Sequence, residues 1–171
     1  MPKPDAGQRW VLLTYRMPRE PSTPRIALWR KLEQLGVARL GDGLVAIPAD
    51  PRTREQLDWI AEDIRHAGGT ASVWLATPAD PVQEQALVDT TRAARAEEYR
   101  EVLAEAGSAA ATAGPERTRT LRRLRGQLRR INRRDFFTAP HRDEARTAVE
   151  ALADEPAATA PPADATRDGA R

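Results

Sequence analysis

Residues 10–76 alternate short apolar runs with stretches of helical periodicity, and this order constrains the fold more than any other feature of the chain. Trp10-Val11-Leu12-Leu13-Thr14-Tyr15 is apolar, β-branched and aromatic; it ends before Pro18 and predicts a buried central strand. Arg19 to Pro24 reads as a loop leading into a helix. Ser22 or Thr23 is its expected cap, and Pro24 falls in the first turn, where a missing N–H costs nothing. That helix runs to Gly36, with Ile26, Trp29, Leu32 and Leu35 recurring every three residues as its apolar face. Val37 to Leu40 and Leu44 to Ile47 are short strands around Gly41-Asp42-Gly43, a hairpin signal. Thr53 to Ala67 reads as a second helix, with Leu57, Ile60, Ala61 and Ile64 on one face and Gly68-Gly69 as its stop. Thr70 to Ala76 is the last strand, with Ala71, Val73 and Leu75 on one face and Ser72 and Trp74 on the other.

The order βαββαβ within so short a span predicts an α+β domain of the ferredoxin-like type over residues 9–78, an antiparallel sheet with both helices on one face. It is long enough to fold alone. Residues 80–153 predict a helical appendage. Pro81 to Ala106 has high helix propensity, and Gly107 to Pro115 reads as a linker. Glu116 to about Arg134 forms a second helix, and Phe136-Phe137 folds back as a hydrophobic plug. His141 marks the start of a third helix from Arg142, with Ala145, Val149 and Leu152 on one side. Residues 1–8 are expected to be disordered. So is the Ala/Pro/Asp-rich tail 154–171, which has no large apolar residue to offset the entropy of ordering.

Composition removes several function classes. The chain has no cysteine, which excludes disulfide frameworks, thiolate zinc sites, iron–sulfur clusters and cysteine nucleophiles. His66 and His141 are its two histidines, too few for an imidazole metal site, and no metal or cofactor is expected. No apolar run approaches the ~18 residues of a membrane span, and no apolar segment follows the basic residue of MPKPDAGQRW as a secretory leader would. A cytoplasmic protein without membrane contact is the expectation. There is no P-loop, G-x-G-x-x-G, H-E-x-x-H or G-x-S-x-G, and Asp58 and Glu62 are an ordinary i,i+4 pair. No catalytic residue is nominated, and no enzymatic activity is expected.

The net charge of +2 over 171 residues conceals strong segregation. Residues 80–114 hold three basic and seven acidic side chains, whereas residues 115–146 hold eleven basic and four acidic. Such a block calls for an internal or external polyanionic partner. Leu121, Leu124, Leu128 and Ile131, spaced 3, 4, 3, form an a/d seam. Counting from Leu121 as a, Arg119, Arg122, Arg123, Arg129, Arg130 and Arg133 lie opposite that seam. Arg125 and Arg134 flank it, within reach of Glu97, Glu98, Glu101 or Glu105 on the preceding helix. Two readings fit the outward arginines. One is a solvated face in an arginine-rich proteome. The other is a nucleic-acid backbone footprint, because stacked like charges cost about 0.2–0.5 kcal/mol per i,i+4 pair without a counter-charge. Six phosphate contacts would give a log–log salt slope of roughly −5.

A second basic cluster, Arg25, Arg30 and Lys31 with Arg16 and Arg19, surrounds the first strand–helix loop and reads either as an anion site or as ordinary helix-surface charge. Of the four tryptophans, Trp10 and Trp29 read as core, while Trp59 and Trp74 sit where they can face a partner.

The string Trp10 to Pro18, followed by Pro21-Ser22-x-x-Arg25-x-x-x-Trp29-Arg30-x-Leu32-x-x-Leu35-Gly36, resembles the N-terminal domain of the ChrB family of chromate-resistance regulators. Asp42-Gly43, Thr53-Arg54-Glu55-Gln56 with Trp59, and Gly68-Gly69 continue the likeness. So do Leu121-Arg122-Arg123-Leu124, Ile131-x-x-Arg134-Asp135-Phe136-Phe137 and Arg142-Asp143-Glu144-Ala145. The resemblance implies a DNA-binding repressor of chromate-efflux genes. The core is also similar to the module of PaaX-type repressors and of small CRISPR adaptation nucleases. Those nucleases carry a metal-binding Asp at the end of the first strand; Arg16, Met17 and Pro18 stand here instead, so nuclease activity is not carried over. ChrB proteins have a further domain, and this chain resembles their N-terminal half.

The expectation is a DNA-binding transcriptional regulator, a homodimer on duplex operator DNA. Its phosphate contacts would be Arg119, Arg122, Arg123, Arg129, Arg130 and Arg133, with Arg25, Arg30 and Lys31 as second choices. The alternative is a non-enzymatic interaction module that docks a separately encoded ChrB-type second domain.

Overall fold

A computed structural model describes residues 9–154. Its elements are β1 (Trp10–Arg16), α1 (Ser22–Leu35), β2 (Ala38–Gly41), β3 (Leu44–Pro48), α2 (Pro51–His66), β4 (Thr70–Ala76), α3 (Pro81–Ala109), α4 (Gly114–Asn132) and α5 (Arg142–Ala151). The expectations of disorder at residues 1–8 and in the tail beyond Asp154 lie outside the described residues.

The four strands form one antiparallel sheet in the order β2-β3-β1-β4, so the chain is α+β. β1 is central, as its apolar run predicts, with Leu12 opposite both Ala46 and Trp74. Strand alternation sends Val11 and Leu13 to one face, where they meet Leu28 and Leu32 of α1 and Leu57, Ile60 and Ile64 of α2. Both helices therefore cover the same side of the sheet. α2 starts on a reciprocal cap: the Asp50 carboxylate accepts from Thr53 N at 2.7 Å, and Asp50 N donates to Thr53 Oγ1 at 3.0 Å. The buried Thr53 hydroxyl also donates to Pro48 O at 2.7 Å.

Three local expectations are corrected here. α1 turns its Leu28/Leu32 stripe to the core, leaving Ile26 half-exposed and Trp29 36% exposed; Trp29 is not core. A period of three drifts off a 3.6-residue helical face, and the Arg39 guanidinium stacks over the Trp29 ring at 5.1 Å on the outside. Neither Ser22 nor Thr23 caps α1, whose N-cap is Pro21 without a side-chain hydrogen bond. The expected linker at Gly107 starts later, because α3 continues to Ala109 before a short turn to Gly114.

A second core lies in the helical region. Tyr99, Val102, Ala106 and Ala109 of α3 pack against Leu124, Leu128 and Ile131 of α4 and against Ala145 and Val149 of α5. The a/d seam is thus buried, with Leu121 at its partly covered end. The Phe136-Phe137 plug anchors the segment after α4 on the sheet unit. Phe136 packs on the sheet unit, while Phe137 lies 5.8 Å from the buried Trp10 ring, centroid to centroid. The Tyr99 hydroxyl sits 2.7 Å from Asn132 Oδ1 and 3.1 Å from Asp135 Oδ2, and Asp135 accepts from Ala139 N at 2.9 Å. Burial first, then the neighbouring Asp135 carboxylate, raises the Tyr99 pKa far above the ordinary phenol value.

Candidate nucleic-acid interface

α4 carries the chemistry that stands out. Its buried seam fixes the rotation of the helix, so the residues opposite must face outward. Arg119, Arg122, Arg129, Arg130 and Arg133 are exposed and make no ion pair among the described residues. Arg123 differs. It grips both oxygens of Glu105 on α3, and these hydrogen bonds hold the Glu105 carboxyl below the usual carboxylate range.

The flanking arginines divide. Arg134 pairs with Glu98 at 2.6 Å, as the seam geometry predicts. Arg125 does not reach α3; it pairs with Glu150 of α5 at 2.6 Å and holds that carboxyl low by hydrogen bonding. The reason is packing: α5 closes the e side of α4, a neighbour that spacing within α4 does not reveal. Arg117 is engaged internally as well. Its guanidinium donates to the carbonyls of Leu152 at 3.0 Å and Ala110 at 2.8 Å, tying the ends of α3 and α5 to the start of α4.

The second-choice residues separate. Lys31 is engaged by Asp63 of α2 at 2.5 Å. Arg25 lines a separate hollow with Tyr15, Trp29, Arg39 and Asp42, away from α4. Arg30 does meet the stripe. With Arg52 of α2 and Arg130, Arg133 and Arg134, it lines a cleft of about 700 Å³ between the sheet unit and the end of α4; Glu33 is the one carboxylate in its wall. Arg52 donates to Arg133 O at 3.3 Å, and Arg134 donates to Glu33 O at 3.2 Å, so backbone bonds close the rim from both sides.

Sequence reasoning missed Arg52 and gave Arg134 a purely structural part. It also missed Arg95, which is 7% exposed and pairs with Glu98 at 2.7 Å. Its Nε and Nη1 are buried without partners. Burial pushes the Arg134 pKa down, the Glu98 carboxylate opposes this, and the cations of Arg95 and Arg130 push it down further. Tight approach here depends on Gly36. Its φ is +74°, and a Cβ would overlap the Arg95 guanidinium and come within 3.0 Å of Arg134 Cβ. The helical spacing of Arg95 and Glu98 was readable; their meeting with the far end of α1 was not.

Among the described residues no group of three or more His, Cys, Asp or Glu is placed to hold a metal ion. Nor is any described helix long and apolar enough to cross a membrane. The arrangement is chemically a row of fixed cations beside a cationic cleft.

The chain is similar to known proteins. The family model described as "Protein ChrB, N-terminal" matches residues 25–116, more than half of the chain. The chain is 32% identical over 148 residues to Protein ChrB of Cupriavidus metallidurans, a match that covers 82% of this chain and 44% of that protein. The chain therefore spans less than half the length of that relative. No solved structure matches it significantly. The chain belongs to the ChrB family, of which it carries the N-terminal domain.

Proposed function

We propose that the chain is a DNA-binding transcriptional regulator that grips the duplex backbone through α4. One observation carries this reading: five arginines on a helix with a buried opposite face have no acidic partner among the described residues, although the neighbouring helices neutralise Arg123, Arg125 and Arg134. Guanidinium groups with no internal counter-charge suit phosphates. Membership of the ChrB family supports assigning the regulator to chromate resistance; a cytoplasmic homodimer without an enzymatic step of its own is part of the same proposal. The βαββαβ order, the central β1 and the two helices on one sheet face support a ferredoxin-like reading of residues 9–78.

Five phosphate contacts give a salt slope of about −4.5. The triple variant Arg119→Gln/Arg122→Gln/Arg129→Gln should lower its magnitude by nearly 3. Anisotropy titrations of a labelled duplex at several salt concentrations measure this. An unchanged slope transfers the assignment to the second reading, an interaction module for a separately encoded ChrB-type domain.

A specific surface favours that alternative. On the sheet face away from α1 and α2, Leu12, Leu40, Leu44 and Leu87 line an apolar groove of about 560 Å³. Trp74, on the same face, is 58% exposed.

A further inference from the structure

The cleft between the sheet unit and α4 is a different object from the outward stripe. Five guanidinium groups from three helical segments surround one space, with Glu33 as the one carboxylate in the wall. Arg134 is committed to Glu98, and Arg52 holds a backbone carbonyl. Arg30, Arg130 and Arg133 have no ion pair among the described residues. Arg95, behind the wall, and Arg134, in it, share the single carboxylate of Glu98, one negative charge for two cations. Like charges gathered around one cleft repel one another. Folding holds five cations around a cleft whose wall has one carboxylate, Glu33, with Glu98 paired to Arg134, and a bound anion relieves the remaining repulsion. The volume of about 700 Å³ suits a ligand larger than a single inorganic ion. Gln34 and Gln56 add neutral donors, and Phe136 supplies an apolar wall.

We propose that the cleft bounded by Arg30, Arg52, Arg130, Arg133 and Arg134 is a binding site for a group carrying two or more adjacent phosphates. Its source is either a free phosphorylated compound or consecutive phosphates of a nucleic-acid strand. The site shares Arg130 and Arg133 with the surface proposed for duplex binding, so the test leaves those two intact. Arg30→Gln/Arg52→Gln changes the cleft alone, and both side chains are exposed. Should the pair disturb folding by circular dichroism, Arg30→Gln alone replaces it.

Calorimetric titration of the full chain with tripolyphosphate, beside anisotropy titration with a duplex, separates the sources. At least tenfold weaker tripolyphosphate binding with duplex affinity kept identifies a free phosphorylated ligand. At least tenfold weaker duplex binding identifies backbone phosphates. Wild-type affinity for both probes in the double variant overturns the proposal, as does a wild-type chain that binds neither. If Arg119→Gln/Arg122→Gln/Arg129→Gln keeps full duplex affinity and salt slope while the cleft variant loses tripolyphosphate, the regulator reading falls and the cleft stands.

Discussion

The sheet unit and the helical bundle bury apolar surface with different side chains. Around β1 the buried cluster is Val, Leu and Ile with one alanine, Ala61. In the core cluster of the bundle, alanine takes four places, Ala106, Ala109, Ala139 and Ala145, and the largest buried side chain is Tyr99. Alanine lets helices approach closely but removes less apolar area from water than leucine does. The bundle makes up part of the difference with interhelical ion pairs, Arg123 to Glu105 and Arg125 to Glu150. A thin core with charged struts lets one whole face of α4 stay cationic, whereas the sheet unit packs the Val11/Leu13 face of β1 and leaves Leu12 at an open groove on the other.

The contrast can be broken most directly at the two cores. Leu57→Ala and Leu124→Ala should each cost about 2–5 kcal/mol. All four tryptophans lie in residues 10–74, so their fluorescence follows the sheet unit while far-ultraviolet dichroism follows both. In Leu124→Ala, helix signal should disappear at lower urea than tryptophan signal. A single coincident transition would erase the distinction between the units.

Gly36 sharpens the comparison because it stands where the units touch. Gly36→Ala should cost about 1–3 kcal/mol, from its left-handed backbone and the collision with Arg95 and Arg134. Gly68→Ala is the control. Its φ is +79°, but its nearest foreign atom is Pro18 Cγ at 3.8 Å, so only the backbone part, about 1 kcal/mol, should appear in its urea midpoint.

The smallest effect is that of acid on the struts. The Glu105 pKa is lowered in the folded chain, so its contribution is complete above the unfolded carboxyl pKa and disappears as pH falls through the folded one. Both partners are well exposed, which limits the contribution to about 0.5 kcal/mol. Glu105→Gln should flatten the acid limb of stability against pH by that amount. An unaltered limb would show that the strut carries no stability.

Much of this was legible in the sequence. Short apolar runs bounded by Pro and Gly placed β1, β3 and β4, and the 3, 4, 3 leucine spacing set the buried side of α4. Asp50-Pro51-x-Thr53 spells a cap that starts α2 earlier than its apolar periodicity does. Trp29 misled because its side-chain type suggests burial, whereas helical phase decides it. The cleft was not legible at all. Arg30, Arg52 and Arg134 are far apart in the chain, and local pattern says nothing of which helix ends converge. The fate of Arg123 depended on the rotation of α3, which its own sequence, with little amphipathic contrast, leaves unspecified.

Phe136 and Phe137 are consecutive, yet one packs with the Val11/Leu13 side of the sheet and the other meets Trp10, which strand alternation puts on the reverse side. The dipeptide therefore meets the sheet unit on two sides. A bundle held this way resists both sliding along the strand and pivoting about it. The aromatic dipeptide thereby ties the cationic end of α4 to the part of the sheet unit that carries Arg30 and Arg52.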